Sequence, residues 1–239
     1  GIPVMSVLIT RWGWRSPFLA LGLLGILSIA FLIWALPNDA DALAERPAAW
    51  QNLRRVLGHL PALAGLGLGL FMTIANETIN LMFGVWMEDS FRLKIIALGG
   101  TAAVIGLAEL GGETLVGILV DKLGKVRAVS LGLILNCFAA LAFPLIGDNL
   151  VGAVVGLFLF YITFEFTLVS SIPMMTEILP DSRATVMAFY VAVLSLGRAA
   201  GALVAPSLYA WGIAASAGAA VLFNLLAVLM LPAVRKSIS

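Results

Sequence analysis

Glu77, Glu109, Glu113, Glu165 and Arg198 each stand inside a long apolar run of the sequence. An ionised side chain at the middle of a bilayer costs roughly 2.5 to 3.5 kcal/mol even on lenient insertion scales, so a set of them cannot all face lipid. Such groups point into a bundle interior or a water-filled path, pair with one another, or, for the carboxyls, take up a proton. Arginine keeps its charge, so Arg198 requires a carboxylate or a wet pathway. One arginine can neutralise one glutamate. The carboxyls left over suit a proton relay.

Their spacing narrows the possibilities. Thr73, Asn76, Glu77 and Asn80 fall at helical offsets of zero, three, four and seven, so they form one polar stripe suited to a polar solute or a file of water. Glu109 and Glu113 are four apart and share a face, where two negative charges repel. Tyr161 and Glu165 share another. The structural alternative for each is an interhelical hydrogen bond, ordinary glue between membrane helices. Other chemistries lack support: His59 has no partner, Cys137 is alone, and Gly65-x-Gly67-x-Gly69 follows no strand. Neither His-Glu-x-x-His nor Gly-x-Ser-x-Gly occurs, and no metal or other cofactor is expected. The chain reads as a non-enzyme.

The elements that must hold these residues are membrane spans. The chain is 62% hydrophobic and 11% charged, with a mean hydropathy of +1.07, whereas soluble domains carry about 25% charged residues. Net charge is only +1, without the basic face that nucleic acid requires. A hydrocarbon core about 30 Å thick needs roughly 20 apolar residues per helix. Apolar runs predict spans near 16–36, 61–86, 95–119, 128–146, 150–172, 184–210 and 213–232, with residues 1–11 as the tail of a further helix. From residue 61 onward, ionisable groups sit in the middle of the first, second, fourth and fifth spans. The third and sixth offer only Asn136, Cys137 and Asn224 there.

Lys and Arg collect in cytoplasmic loops. Placing the loop after the first full span inside puts Arg46, Arg54, Arg55, Lys122, Lys125, Arg127, Arg183, Arg235 and Lys236 inside, against Arg11, Arg15, Arg92 and Lys94 outside. The C-terminus is then cytoplasmic, in a multi-pass protein of the plasma (inner) membrane. Trp12, Trp14, Trp86 and Trp211 fall at outer ends and Trp34 near an inner one, as interfacial belts require. The polar interval from about 38 to 60 ends in Trp50, Leu53, Leu57 and Leu60, spaced for an amphipathic helix on the inner surface. Gly65 with Gly69, Gly152 with Gly156 and Gly197 with Gly201 have the spacing that lets membrane helices approach closely.

Gly117-Ile-Leu-Val-Asp121-Lys122-Leu-Gly124-Lys125-Val-Arg127 stands between two of the runs. Glycine, three residues, Asp, a basic residue, any residue, Gly and further basic residues resembles the signature loop of the major facilitator superfamily of transporters. It departs from that pattern at Val126, where a second basic residue is common. Gly13-Trp14-Arg15-Ser16-Pro17-Phe18 resembles the start of the family's sixth helix, Gly1-Ile2-Pro3 the end of the fifth-helix glycine-proline motif of its antiporters, and Glu177 to Arg183 the loop between its tenth and eleventh helices.

The resemblance implies an all-α, polytopic transmembrane bundle: residues 1–36 as the end of an N-terminal half, 37–60 as a central cytoplasmic loop and 61–239 as a C-terminal six-helix half. It implies alternating-access transport of a small solute, with proton-coupled efflux as the expected mode and the N-terminal half as a missing partner. In the family the ninth and twelfth helices support the four that line the cavity, which agrees with the charge pattern. Gly117, Asp121, Lys122, Gly124, Lys125 and Arg127 become a cytoplasmic latch, and Glu77, Glu109, Glu113, Glu165, Arg198, Asn76 and Asn80 the candidate coupling and solute site. The alternative is a non-transporting scaffold or receptor, or a half-transporter that needs a partner half.

Overall fold

A computed structural model describes residues 2–35 and 49–238 of the 239-residue chain. Gly1, Arg46 and the first half of the central interval lie outside the described residues. The α-helices are α1 (Ile2–Trp12), α2 (Ser16–Ala35), α3 (Ala49–Gly58), α4 (Leu60–Asn80), α5 (Phe83–Phe91), α6 (Ile95–Leu123), α7 (Lys125–Ile146), α8 (Leu150–Ile178), α9 (Arg183–Tyr209) and α10 (Ile213–Ile238). A 3-10 turn, Pro180–Ser182, joins α8 to α9. Seven segments are long and apolar enough to cross a membrane, and the chain is an all-α, multi-pass bundle.

Helix ends follow local chemistry. Asn149 caps α8 by accepting the Gly152 N–H at 2.9 Å. Pro61 begins α4, where its missing N–H leaves no bond unmade. The junction of α6 and α7 is a single residue, Gly124, with φ of +82°, a conformation that a Cβ would oppose. The helices run beyond the predicted apolar windows, to Leu123, Ile178 and Ile238, because the hydrogen-bond ladder does not stop where the bilayer does.

Two expectations need correction. The span predicted at 61–86 is broken: Leu81 N–H still bonds back to Glu77, but Met82 N–H reaches only three residues back, to Ile79, and α5 starts a new ladder. Trp86 is no interfacial residue either. It is buried against Phe143, with ring centroids 5.0 Å apart, and against Phe91 at 6.0 Å, because α5 turns its indole into the bundle. Trp12, Trp14, Trp34 and Trp211 are exposed.

The main packing pairs are α4 with α9 and α10, α8 with α6 and α7, and α7 with α10. Exchanging α4 for α8, α6 for α9 and α7 for α10 maps this set onto itself. Successive spans alternate in direction, so α4 and α8 run oppositely and the two three-helix units are inverted repeats, an arrangement common in secondary transporters. Asn136 of α7 and Asn224 of α10 occupy equivalent places, each eleven residues after the start of its helix. Asn224 Nδ2 donates to Asn136 Oδ1 at 2.7 Å, and Asn136 Nδ2 donates to the Phe160 carbonyl at 2.7 Å and to Thr163 Oγ1 at 2.9 Å. The outer helices are therefore tied to each other and to α8.

Apolar packing falls into two large clusters. One, at the end carrying the α6–α7 turn, includes Val56, Leu68, Met72, Met175, Tyr190 and Leu231. The other, toward the opposite end, includes Ile79, Trp86, Phe143, Leu157 and Phe160. On α4, Thr73, Asn76 and Glu77 lie between Met72 of the first and Ile79 of the second. In α3 it is Val56 that is buried and Leu57 that is exposed, while Ser182 Oγ donates to Asn52 Oδ1 at 3.3 Å. The helix thus docks on the start of α9 through Asn52 and Val56, not through Leu57. By contrast α2, apolar on every side, is left almost wholly uncovered by the described residues, with Pro17 in its first turn its one buried residue.

The Asn pair yields a test. Asn136→Leu orphans the Asn224 amide and should cost about 1–3 kcal/mol, whereas the double change Asn136→Leu with Asn224→Leu should recover most of it. Thermal unfolding of the purified protein in detergent measures both. A double variant less stable than either single one would contradict this account of the network.

Candidate functional site

α4 is the most deeply packed span, and it carries the polar stripe inward: Thr73, Asn76, Glu77 and Thr78 are all buried. Thr73 Oγ1 donates to the Gly69 and Leu70 carbonyls of its own helix, at 2.8 and 3.0 Å. Glu77 accepts from Asn80 Nδ2 at 3.2 Å, and Asn80 Oδ1 accepts from Tyr161 Oη of α8 at 2.7 Å. Asn76 Oδ1 is buried and has no hydrogen-bond partner among the described residues. Buried polar atoms are normally satisfied, so an unpartnered acceptor marks a place for a further donor.

Small residues hold the neighbours close enough for this chain of contacts. On α9, a Cβ at Gly201 would stand 2.6 Å from Glu77 Cβ and 3.0 Å from the Ile74 carbonyl, and one at Gly197 would stand 2.7 Å from the Leu70 carbonyl. On α6, a Cβ at Gly112 would meet the Ile162 carbonyl at 2.8 Å and Glu165 Cβ at 2.9 Å. The glycine pair 197 and 201 therefore seats α9 on α4 as the spacing predicted. Gly65 likewise approaches Met175 and Ile178, and Gly69 approaches Tyr190. Gly152 differs: its close neighbour is the Ile146 carbonyl, so it serves the tight α7–α8 turn, while Gly156 meets the Phe143 and Ile146 side chains at ordinary contact distance.

The other charged groups surround the stripe. Glu109 and Glu165 are half-buried, and Glu113 and Arg198 are exposed. Arg198 is exposed, whereas Gly197 beside it is buried against α4. Among the described residues Arg198 forms no ion pair. It nevertheless acts electrostatically on Glu109, Glu165 and Tyr161. Glu165 in turn feels Glu109 and Glu113, and Tyr161 feels Glu77 and Glu109. Residues from α4, α6, α8 and α9 thus share one electrostatic neighbourhood, open to the exterior through Glu113 and Arg198.

At the α6–α7 turn, Asp121, Lys122 and Arg127 are exposed. Lys125 forms an ion pair with Glu177 at the end of α8, the one ion pair among the described residues. Arg183 Nε donates to the Thr176 carbonyl at 3.1 Å, which fastens the next turn to the same helix end. Gly117 faces open space, with nothing near enough to touch a Cβ. Among the bonded pairs that escaped sequence reasoning are Tyr161 with Asn80, Ser171 with Tyr190 at 2.6 Å, and Tyr209 with Asp89 at 2.9 Å. Each joins separate spans, and only the position of Tyr161 one turn before Glu165 gave a signal.

Inverted three-helix units with a charged seam between them define a polytopic membrane protein whose spans enclose polar groups. The sequence profile of the Major Facilitator Superfamily matches residues 1–202 and, in a second alignment, 65–237, and the chain belongs to that superfamily. It is similar to the uncharacterized MFS-type transporter YceJ of Bacillus subtilis (strain 168), 24% identical over 212 residues, covering 87% of this chain and 53% of the relative. The uncharacterized MFS-type transporter YbcL of the same strain is 22% identical over 200 residues, covering 81% and 50%. The chain spans about half the length of these relatives.

The packing of α9 on α4 can be tested directly. Gly201→Val forces its side chain against Glu77 and the Ile74 carbonyl, and such overpacking should cost about 1–3 kcal/mol. Gly218→Val, where a Cβ meets nothing, should leave the apparent melting temperature in detergent unchanged. Equal melting temperatures for the two variants would remove the close approach as a determinant.

Proposed function

We propose that this chain forms the second half of a secondary transporter, which moves a small solute by alternating access and exports it in exchange for protons. The observation that supports the reading is the convergence of Glu77, Glu109, Glu113, Glu165 and Arg198 from four different spans of a Major Facilitator Superfamily fold. Glu165 and Arg198 couple to protons. Asn76, with its unpartnered acceptor, and Asn80, at the Tyr161 contact, meet the solute.

In this reading the N-terminal half supplies the opposite wall of the cavity, which explains why Arg198 and Glu113 are exposed. A proton on Glu165 changes what Arg198 is drawn to, and the balance of that attraction differs between inward-open and outward-open states. Ligands shift such an equilibrium only through different affinities for the two states. The α6–α7 turn acts as the latch: Gly124 sets the sharp reversal, Lys125 anchors it to α8 through Glu177, and Gly117 and Asp121 present a small, acidic face to the other half. Asp121 there can meet the positive end of a facing helix.

Ethidium accumulation by cells expressing the complete transporter provides the assay. The wild type should lower accumulation, with the effect lost on adding a protonophore. Glu165→Gln and Arg198→Ala should each abolish it while membrane insertion persists; wild-type efflux by both variants would remove the coupling site. Asp121→Asn should slow efflux by about tenfold, roughly the 1.4 kcal/mol that a helix-end charge contact supplies in favourable geometry. An unchanged rate would remove the latch.

A further inference from the structure

A cavity of about 980 Å³ opens beside the α6–α7 turn, between it and the last turns of α10. Its two sides differ in chemistry. Val120 and Leu123 of α6 and Val126 of α7, with Val228, Leu231 and Pro232 of α10, make an apolar wall. Lys125, Arg127, Arg235 and Lys236 make a basic rim, and Asp121 is the single acid among the lining residues. Lys125 is occupied by Glu177, but Arg127, Arg235 and Lys236 are exposed and form no ion pair among the described residues. The rim therefore carries a surplus of positive charge that nothing described neutralises.

We propose that this cavity binds an anionic glycerophospholipid, its phosphate held by Arg127, Arg235 and Lys236 and its glycerol and first acyl carbons laid on the wall of Leu123, Val126, Val228 and Pro232. The occupant must be both anionic and apolar. A free inorganic anion would satisfy the rim and leave the wall wet; a zwitterionic lipid would cover the wall and leave the cationic surplus uncompensated. The cavity lies at the ends of α6, α7 and α10, at the level of the headgroups, where basic pockets between helices meet lipid phosphates. Its volume lies within the roughly 300–1,000 Å³ usual for small-molecule pockets, enough for a headgroup and the start of its chains. Ser130, one turn into α7, adds a hydroxyl donor to the lining.

The site shares Asp121, Gly124, Lys125 and Arg127 with the α6–α7 turn and adds α10, but it uses neither Gly117 nor the buried carboxyls. Its ligand would tie the α6–α7 turn to the end of α10.

The test uses the complete protein in phosphatidylcholine nanodiscs titrated with phosphatidylglycerol, with bound lipid counted by native mass spectrometry. Each basic residue near the surface contributes about fivefold in affinity, so the triple variant Arg127→Gln, Arg235→Gln, Lys236→Gln should bind phosphatidylglycerol about a hundredfold more weakly. The variant Arg92→Gln, Lys94→Gln, at the opposite end of the bundle, should bind as the wild type does. In the wild type, a photoreactive phosphatidylglycerol should cross-link to peptides covering residues 120–130 and 228–236, which keeps the proposal testable should the triple variant fail to fold. Equal phosphatidylglycerol affinity in the triple variant and wild type, cross-links confined to other segments, or displacement of the lipid by millimolar inorganic phosphate would each overturn it.

Discussion

Glycines 197 and 201 set the distance between α9 and α4, and the rest of the membrane bundle is arranged around that distance. With no Cβ on either residue, the α9 backbone reaches the Leu70 and Ile74 carbonyls and the root of Glu77. In a bilayer there is no hydrophobic force between helices, because lipid tails are as apolar as leucine, so close backbone packing and interhelical polar contacts must supply the association. The same approach covers Glu77 and lets a carboxyl sit on the most buried helix of the chain. A larger residue would separate the helices and expose the stripe to lipid, where backbone and side-chain polar groups have no partners.

Inverted pairing extends this logic to the outer helices. α7 and α10 lack mid-span charge, yet each contributes one asparagine at an equivalent place, Asn224 donating to Asn136 and Asn136 donating to α8. Polar contacts of this kind favour one arrangement of helices, since slipping either helix by a turn would leave an amide unpaired in an apolar medium. Structural and charged polarity are thus separated by span. Amides tie the supporting helices, and carboxyls gather on those that meet the seam.

Much of this was legible in the sequence because the bilayer imposes simple rules. Long apolar runs gave the spans, and ionisable residues within them gave the faces that turn inward, with the exceptions of Glu113 and Arg198, which are exposed. The break at Leu81 and Met82 was not legible, since residues 61 to 86 read as one apolar run and only the shift of one backbone bond from the fourth to the third preceding residue divides them. Burial of Trp86 was hidden for the same reason: its ring direction depends on how α5 restarts. Contacts such as Tyr161 with Asn80 or Lys125 with Glu177 join residues far apart in the chain, and spacing within one helix carries no information about them. The glycine pair at 197 and 201 was readable as a packing signal, but not which helix it would meet.

Arg198 left without a direct partner makes physical sense in the proposed transport cycle. A guanidinium locked in a buried bidentate pair with one carboxylate would have given up its hydration for a single fixed contact, and breaking such a pair costs about 3–5 kcal/mol. That is a deep trap for a residue meant to respond to protons. Held at the open side of the seam, Arg198 acts on Glu109, Glu165 and Tyr161 together without belonging to any of them. Protonation of one carboxyl then redistributes its attraction among the others instead of breaking a closed pair. The energy differences stay small enough for thermal interconversion, and a bistable bundle biased by one proton requires that.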